Sequence, residues 1–177
     1  MGALHPIAAF ASKYSPANAK NIVFDFYGDE KALEAARRIV STLDSNLLVL
    51  KSETQRSLLH AACTFISNAT VVSVRAGERL ISNFIDRDDV NLLTRKLLSS
   101  SVENLSNNNG VDSLTGPLIR GDAKVIAKHL KILENEGSLL QFYKSWSLLG
   151  IDLIMNNKPS KAQVMQLKEI KKMLEEK

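Results

Sequence analysis

The sequence predicts a mainly α-helical protein, a helical bundle preceded by a small α/β segment, and three observations carry that prediction. From Ser57 to Val74 eighteen residues pass without Asp, Glu, Lys, Arg, Gly or Pro, most of them Ala, Val, Leu, Ile, Cys or Phe. After Ser52 the apolar positions keep helical spacing throughout. Before it, a strand-like run, a helical pattern and a short apolar run follow one another in the order of an α/β layer.

The N-terminal segment, 1–52, begins with His5-Pro6, which opens an extended stretch because the residue before a proline is pushed out of the helical region. Pro16, Asn18 and Ala19 lead into a strand over Ile22 to Tyr27, which stops at Gly28-Asp29. Asp29 is placed to cap a helix whose Leu33, Ala36, Ile39, Val40 and Leu43 share one side, and Leu47 to Leu50 forms a second short strand. Two strands and a helix are too little for an independent sheet. The segment therefore reads as the edge of a larger domain, with the remainder expected upstream or on another chain.

The long helix, Ser57 to Ile85, is apolar nearly all round and is expected to be buried, with everything after it packed around it. Its length touches that of a membrane span, but Ser57, His60, Thr64, Ser67, Asn68, Thr70 and Ser73 interrupt it, which argues against a membrane. Asp86 or Asp88 caps a second helix with Val90, Leu93, Leu97, Leu98, Val102 and Leu105 on a core-facing side, ended by left-handed residues in Asn107-Asn108-Asn109-Gly110. Leu114-Thr115-Gly116-Pro117 is a rigid turn, and Asp122 caps a helix with Ile126, Leu130 and Leu133. Gly137-Ser138 starts the next, whose Leu139, Phe142, Tyr143, Trp146, Leu149, Leu153 and Ile154 form an aromatic-rich core face. The bundle is expected to span 53–157. Ser160 and Gln163 make a capping box for a terminal helix over 158–177, with a solvated charged face, either mobile or docked on a partner.

At about 100° per residue, His60, Thr64, Ser67, Asn68, Val71 and Arg75 fall on one stripe of the long helix. Such a stripe meets either a polar neighbour or buried water, or a cleft in which His60 and Asn68 handle a proton or a polar group of a substrate. Charge says less. The net charge of +4 is spread along the chain apart from the tail, and the aromatic residues do not interleave with it, which argues against nucleic-acid binding. A single Cys63 excludes an intrachain disulfide and a cysteine-based zinc cluster, and reads as a small core residue in the reducing cytoplasm. The first residues lack the basic and apolar stretches of a signal peptide.

The sequence has no G-x-G-x-x-G, P-loop or G-x-S-x-G, and no His and carboxylate spacing suited to a metal, so no metal site is expected. Arg120-Gly121-Asp122 reads as a glycine turn and a cap. Alternatively, Arg120 offers its fork of donors to a carboxylate or phosphate near Gly116-Pro117.

His5-Pro6 with Phe10, Gly28-Asp29, His60-Ala61-Ala62 with Asn68, Leu114-Thr115-Gly116-Pro117, Arg120-Gly121-Asp122 and His129-Leu130 occur in that order. As an ordered set, covering about residues 4–156, they resemble the domain of unknown function at the C-terminal end of Rossmann-type oxidoreductase-like proteins. Those proteins are similar to pyrroline-5-carboxylate reductase, prephenate dehydrogenase and the deazaflavin-dependent NADP reductases, and more distantly to 6-phosphogluconate dehydrogenase, whose C-terminal helical domain the bundle would match. The resemblance implies a Rossmann domain that binds NAD(P), here reduced to its last strands, and a helical domain that forms a homodimer and closes over a small-molecule substrate. It also implies His5 and Pro6 at the nicotinamide, His60 as proton donor or anchor and Asn68 orienting the substrate, with His5, Thr64, Thr115, Gly116 and Arg120 as substrate contacts. Ala9 departs from the pattern, standing where relatives carry a hydroxyl residue. Without the glycine-rich turn this chain alone is not expected to hold NAD(P). The competing expectation is a non-catalytic helical module for dimerisation or small-ligand binding.

Overall fold

The computed structural model describes residues 1–9 and 20–176. Phe10 of the motif set and the Pro16 to Ala19 lead-in lie outside the described residues. The chain divides into two compact units, Met1–Gly77 and Glu78–Lys177.

In the first unit, β1 (Gly2–Ile7), β2 (Val23–Gly28) and β3 (Asn46–Val49) form a three-stranded sheet in that order. β1 runs antiparallel to β2, with Leu4 opposite Phe26 and His5 opposite Asp25. β2 and β3 are parallel, joined by α1 (Glu30–Thr42). Asp29 caps α1 through a 2.9 Å hydrogen bond from the Ala32 N–H to its carboxylate. Leu33 and Ala36 of α1 pack on Phe26, with Leu4, Ala32 and Leu47 around them. Phe24 and Phe26 share one face of β2 because strand side chains alternate, so Asp25 between them points to the other. Gly28 allows β1 to close against β2, since a Cβ there would stand 2.4 Å from the Gly2 Cα.

α2 (Glu53–Cys63) and α3 (Thr70–Ile81) are joined by a π-helical stretch, Thr64–Ala69, into one helix, Glu53–Ile81. This corrects the expectation of a buried rod: none of its residues is buried, with Phe65 at 70% and Ile66 at 76% exposure, and Cys63 is half-buried rather than core. By length and composition the helix is long and apolar enough to cross a membrane, although polar residues interrupt it. Its apolar pattern records a need for cover that the described residues of this chain do not meet.

In the second unit, α5 (Ala123–Leu133), α6 (Gly137–Met155) and α7 (Lys161–Glu175) enclose the core. Ile126, Ile151, Ile154, Leu167, Ile170 and Leu174 meet there with Leu118. Asp122 caps α5 by accepting from the Val125 N–H. Gly121, at φ +66°, makes the turn before it and closes on α7, where a Cβ would stand 2.6 Å from Gln166 Oε1. Ser160 caps α7, but the other half of the capping box is absent: the Gln163 side chain donates instead to the Ile119 carbonyl at 2.8 Å.

Two expected core faces are corrected here. On α4 (Arg87–Asn107) only Val90 is buried, and Leu93, Leu97, Leu98, Val102 and Leu105 are exposed. On α6 the expected face is split: Ile154 is buried and Tyr143 packs against the core, but Phe142, Trp146, Leu149 and Leu153 are exposed, and Ser147, Gly150 and Ile151 are buried instead. The small residues win because they admit close packing; a Cβ on Gly150 would stand 2.6 Å from Leu118 Cδ2. α4 ends inside the expected run, at Asn107. Asn108 is extended, and the left-handed residue is Gly110, which opens a short 3-10 turn over Gly110–Ser113.

Candidate functional site

The first unit carries a groove of about 870 Å³, within the range of roughly 300–1,000 Å³ common for small-ligand sites. One wall comes from the end of β1 and the middle of β2, the other from α2 and the π-helical stretch.

The sheet wall holds His5, Pro6 and Asp25. The antiparallel register sets His5 opposite Asp25, and His5 Nδ1 lies 3.1 Å from Asp25 Oδ2. Asp25 is buried, at 4% exposure. Its Oδ1 has no hydrogen-bond partner among the described residues, with Arg56 Nε at 3.8 Å supplying the compensating charge. Arg56 Nη1 also lies 3.8 Å from Glu53 Oε1.

The helix wall is set by the start of α2. Ser52 Oγ accepts from the Gln55 N–H, and the Gln55 side chain accepts from the Lys51 N–H at 2.7 Å. With the start fixed, Arg56 and His60, one turn apart, share the face that lines the groove. The His60 ring stands edge-to-face to His5 with centroids 6.4 Å apart. Beyond it, Thr64, Ser67 and Asn68 line the π-helical part of the wall. The Thr64 hydroxyl donates to the His60 carbonyl and that of Thr70 to the Ile66 carbonyl, side-chain bonds that bend a helix.

Of the residues picked out in the sequence, His5, Pro6, His60, Thr64 and Asn68 thus line one groove. Thr115, Gly116 and Arg120 are not among its lining residues; they lie in the second unit, where Gly116 takes a positive φ of 90° and Arg120 is exposed. Sequence reasoning missed Asp25 and Arg56. Asp25 had one available signal, an acid inside the apolar run Val23-Phe24-Asp25-Phe26. Among the described residues no group of three His, Cys, Asp and Glu side chains is arranged to hold a metal ion.

The described βα turns do not fit a dinucleotide pyrophosphate. At the start of α1 the glycine serves strand packing, and the Asp29 carboxylate occupies the helix N-terminus that a phosphate would need. At the start of α2 the turn residues Leu50, Lys51 and Ser52 include no glycine, and the Ser52 cap already takes the Gln55 N–H.

Comparison with known proteins defines the class. The chain belongs to the family described as Domain of unknown function (DUF2520), whose model matches residues 22–149. Among solved structures it is similar to a Thermotoga maritima protein at 24% identity and a TM-score of 0.71, over 89% of this chain and 63% of that one. It is also similar to a Bacteroides fragilis protein named, provisionally, an NADP oxidoreductase, at 28% identity and a TM-score of 0.69, over 82% of this chain and 55% of that one. The chain thus spans less than two thirds of the solved structures it matches. No curated protein matches it. The fold is that of a Rossmann-like, oxidoreductase-related domain of unknown function.

Proposed function

We propose that this chain is the dimerising, substrate-side part of an NAD(P)-dependent oxidoreductase of the cytoplasm, working with a nucleotide-binding domain carried in cis or by a separate chain. The observation that carries the reading is the groove, in which two imidazoles, a buried carboxylate, a guanidinium and the amide of Asn68 converge beside the apolar Pro6, Ile7 and Leu59. That mixture suits a small molecule with a polar reacting end. In this reading His60 anchors the substrate or donates a proton, Asn68 and Thr64 orient it, and His5 and Pro6 stand at the nicotinamide side. Thr115, Gly116 and Arg120 are further proposed substrate contacts, resting on the resemblance alone.

The provisional name of the Bacteroides fragilis protein supports the oxidoreductase assignment, and the unmatched portions of both solved structures leave length for a nucleotide-binding domain. The exposed apolar side chains of the helix Glu53–Ile81 support a homodimer, because a surface of that kind calls for a partner.

The test is NADPH binding, read by fluorescence titration on this chain and on the chain joined to or mixed with its nucleotide-binding domain. Binding only in the completed form is the expected result. Binding by neither form would overturn the reading and favour a non-catalytic module for dimerisation or small-ligand binding. The two unsuitable βα turns are what keep that second reading open.

A further inference from the structure

Asp25 is the buried acid in the groove, and its contact with His5 restricts the imidazole more closely than sequence could reveal. An ionised carboxylate only accepts hydrogen bonds, so the hydrogen of a neutral His5 ring must sit on Nδ1, which lies 3.1 Å from Asp25 Oδ2. The other ring nitrogen, Nε2, then carries a free lone pair. It has no hydrogen-bond partner among the described residues, and the half-exposed ring lines the groove. The charged and titratable groups that line the groove with this pair are Glu53, Arg56, His60 and Cys63 on α2.

We propose that Asp25 is a positioning residue for His5: it locks the neutral imidazole as the Nδ1–H tautomer and presents Nε2 to the groove as the proton acceptor for a hydroxyl or amine of the ligand. This rests on the groove being the ligand site. Asp25 is suited to the task for three reasons. The strand register fixes its distance from His5, burial keeps water from competing for Oδ2, and Arg56 balances its charge without reaching Oδ2. The same relation between a carboxylate and an imidazole sets the tautomer in Ser-His-Asp triads, where the histidine accepts the proton of the serine hydroxyl.

The test is histidine tautomer measurement by long-range proton–nitrogen NMR on the chain labelled with ¹⁵N-histidine, at a pH about two units above the ordinary imidazole value of ~6.5. His5→Gln assigns the signals. Wild-type His5 is expected as Nδ1–H with a bare Nε2. In Asp25→Val, an apolar β-branched residue suited to a buried strand, His5 moves to the Nε2–H form that an unrestrained ring favours. His129, held by the Tyr143 hydroxyl at 2.9 Å in the second unit, stays unchanged as the internal control. A wild-type His5 in the Nε2–H form overturns the proposal whether or not the variant folds, and so does an unchanged His5 tautomer in a folded Asp25→Val. Neither result depends on cofactor binding, so the tautomer and the NADPH titration fail separately.

Discussion

Phe65→Glu tests whether the long helix is an interface between two copies of the chain. Phe65 stands 70% exposed and does not line the groove, so the substitution leaves the isolated chain's fold and site intact. Burying a phenylalanine side chain fully contributes roughly 1.5–3 kcal/mol, so covering the exposed part of this one stabilises a dimer by roughly 1–2 kcal/mol. Two-fold symmetry brings the same position in from both copies, which raises the loss to roughly 2–4 kcal/mol, so a weakening of about thirtyfold in the dimer dissociation constant is the lower bound and about a thousandfold the upper end. The buried glutamates add their desolvation to that lower bound. Sedimentation equilibrium across the micromolar range reads the constant, with circular dichroism checking helicity. A wild-type chain that stays monomeric, or a variant that dimerises as tightly as wild type, refutes the reasoning.

Leu167, fully buried in the second unit, should cost about 2–5 kcal/mol when replaced by alanine, read as a lower urea midpoint at unchanged slope. Gly121→Ala combines a left-handed backbone with a crowded Cβ beside Gln166 and should lower stability by roughly 1–3 kcal/mol in the same assay; a neutral outcome would show that α7 can retreat. Burial raises the Tyr143 hydroxyl above its ordinary 10.0, so its neutral form is favoured on folding. That contribution is complete below about pH 10 and is lost as pH rises through the folded value. Urea unfolding on either side of pH 10 should therefore show a smaller alkaline loss in Tyr143→Phe than in wild type.

The parts of the fold that were legible in the sequence are those whose causes are local. Asp29, Asp122 and Ser160 each cap the helix that starts beside them, because the acceptor and its N–H lie three residues apart. Asp25 was not legible as a partner of His5, since the pair is made by strand register across twenty residues. Apolar patterning misled in a consistent way. It marks the faces of α4, α6 and the long helix that need cover, and it cannot say whether the same chain supplies that cover. On α6 the core chose the side with Ser147 and Gly150, because small residues let helices approach; Tyr143 stays against it, and Phe142 and Trp146 are left outside.

The polar stripe was read at a constant 100° per residue, and the structure shows where that stops working. His60, Thr64, Ser67 and Asn68 line the groove, but Val71 and Arg75, which an unbroken α-helix would put on the same stripe, do not. The break lies at Thr64–Ala69, where the helix is π. A π turn takes an extra residue between bonded groups, so every position after it lags the α-helical phase and the stripe leaves the groove. The hydroxyls of Thr64, Thr70 and Ser73 each bond to the carbonyl four residues back and so compete with the backbone ladder at and just after the break. The same residues that look like interruptions of an apolar helix thereby concentrate its polar groups into one turn against the sheet. Replacing Thr64 and Thr70 by Val and Ser73 by Ala should return the stretch to α-helix and bring Val71 round to the stripe that lines the groove. New ligand-induced NMR shifts at Val71 with His5 shifts retained are the expected sign; an unchanged pattern at both would mean that the backbone, not the hydroxyls, holds the π turn.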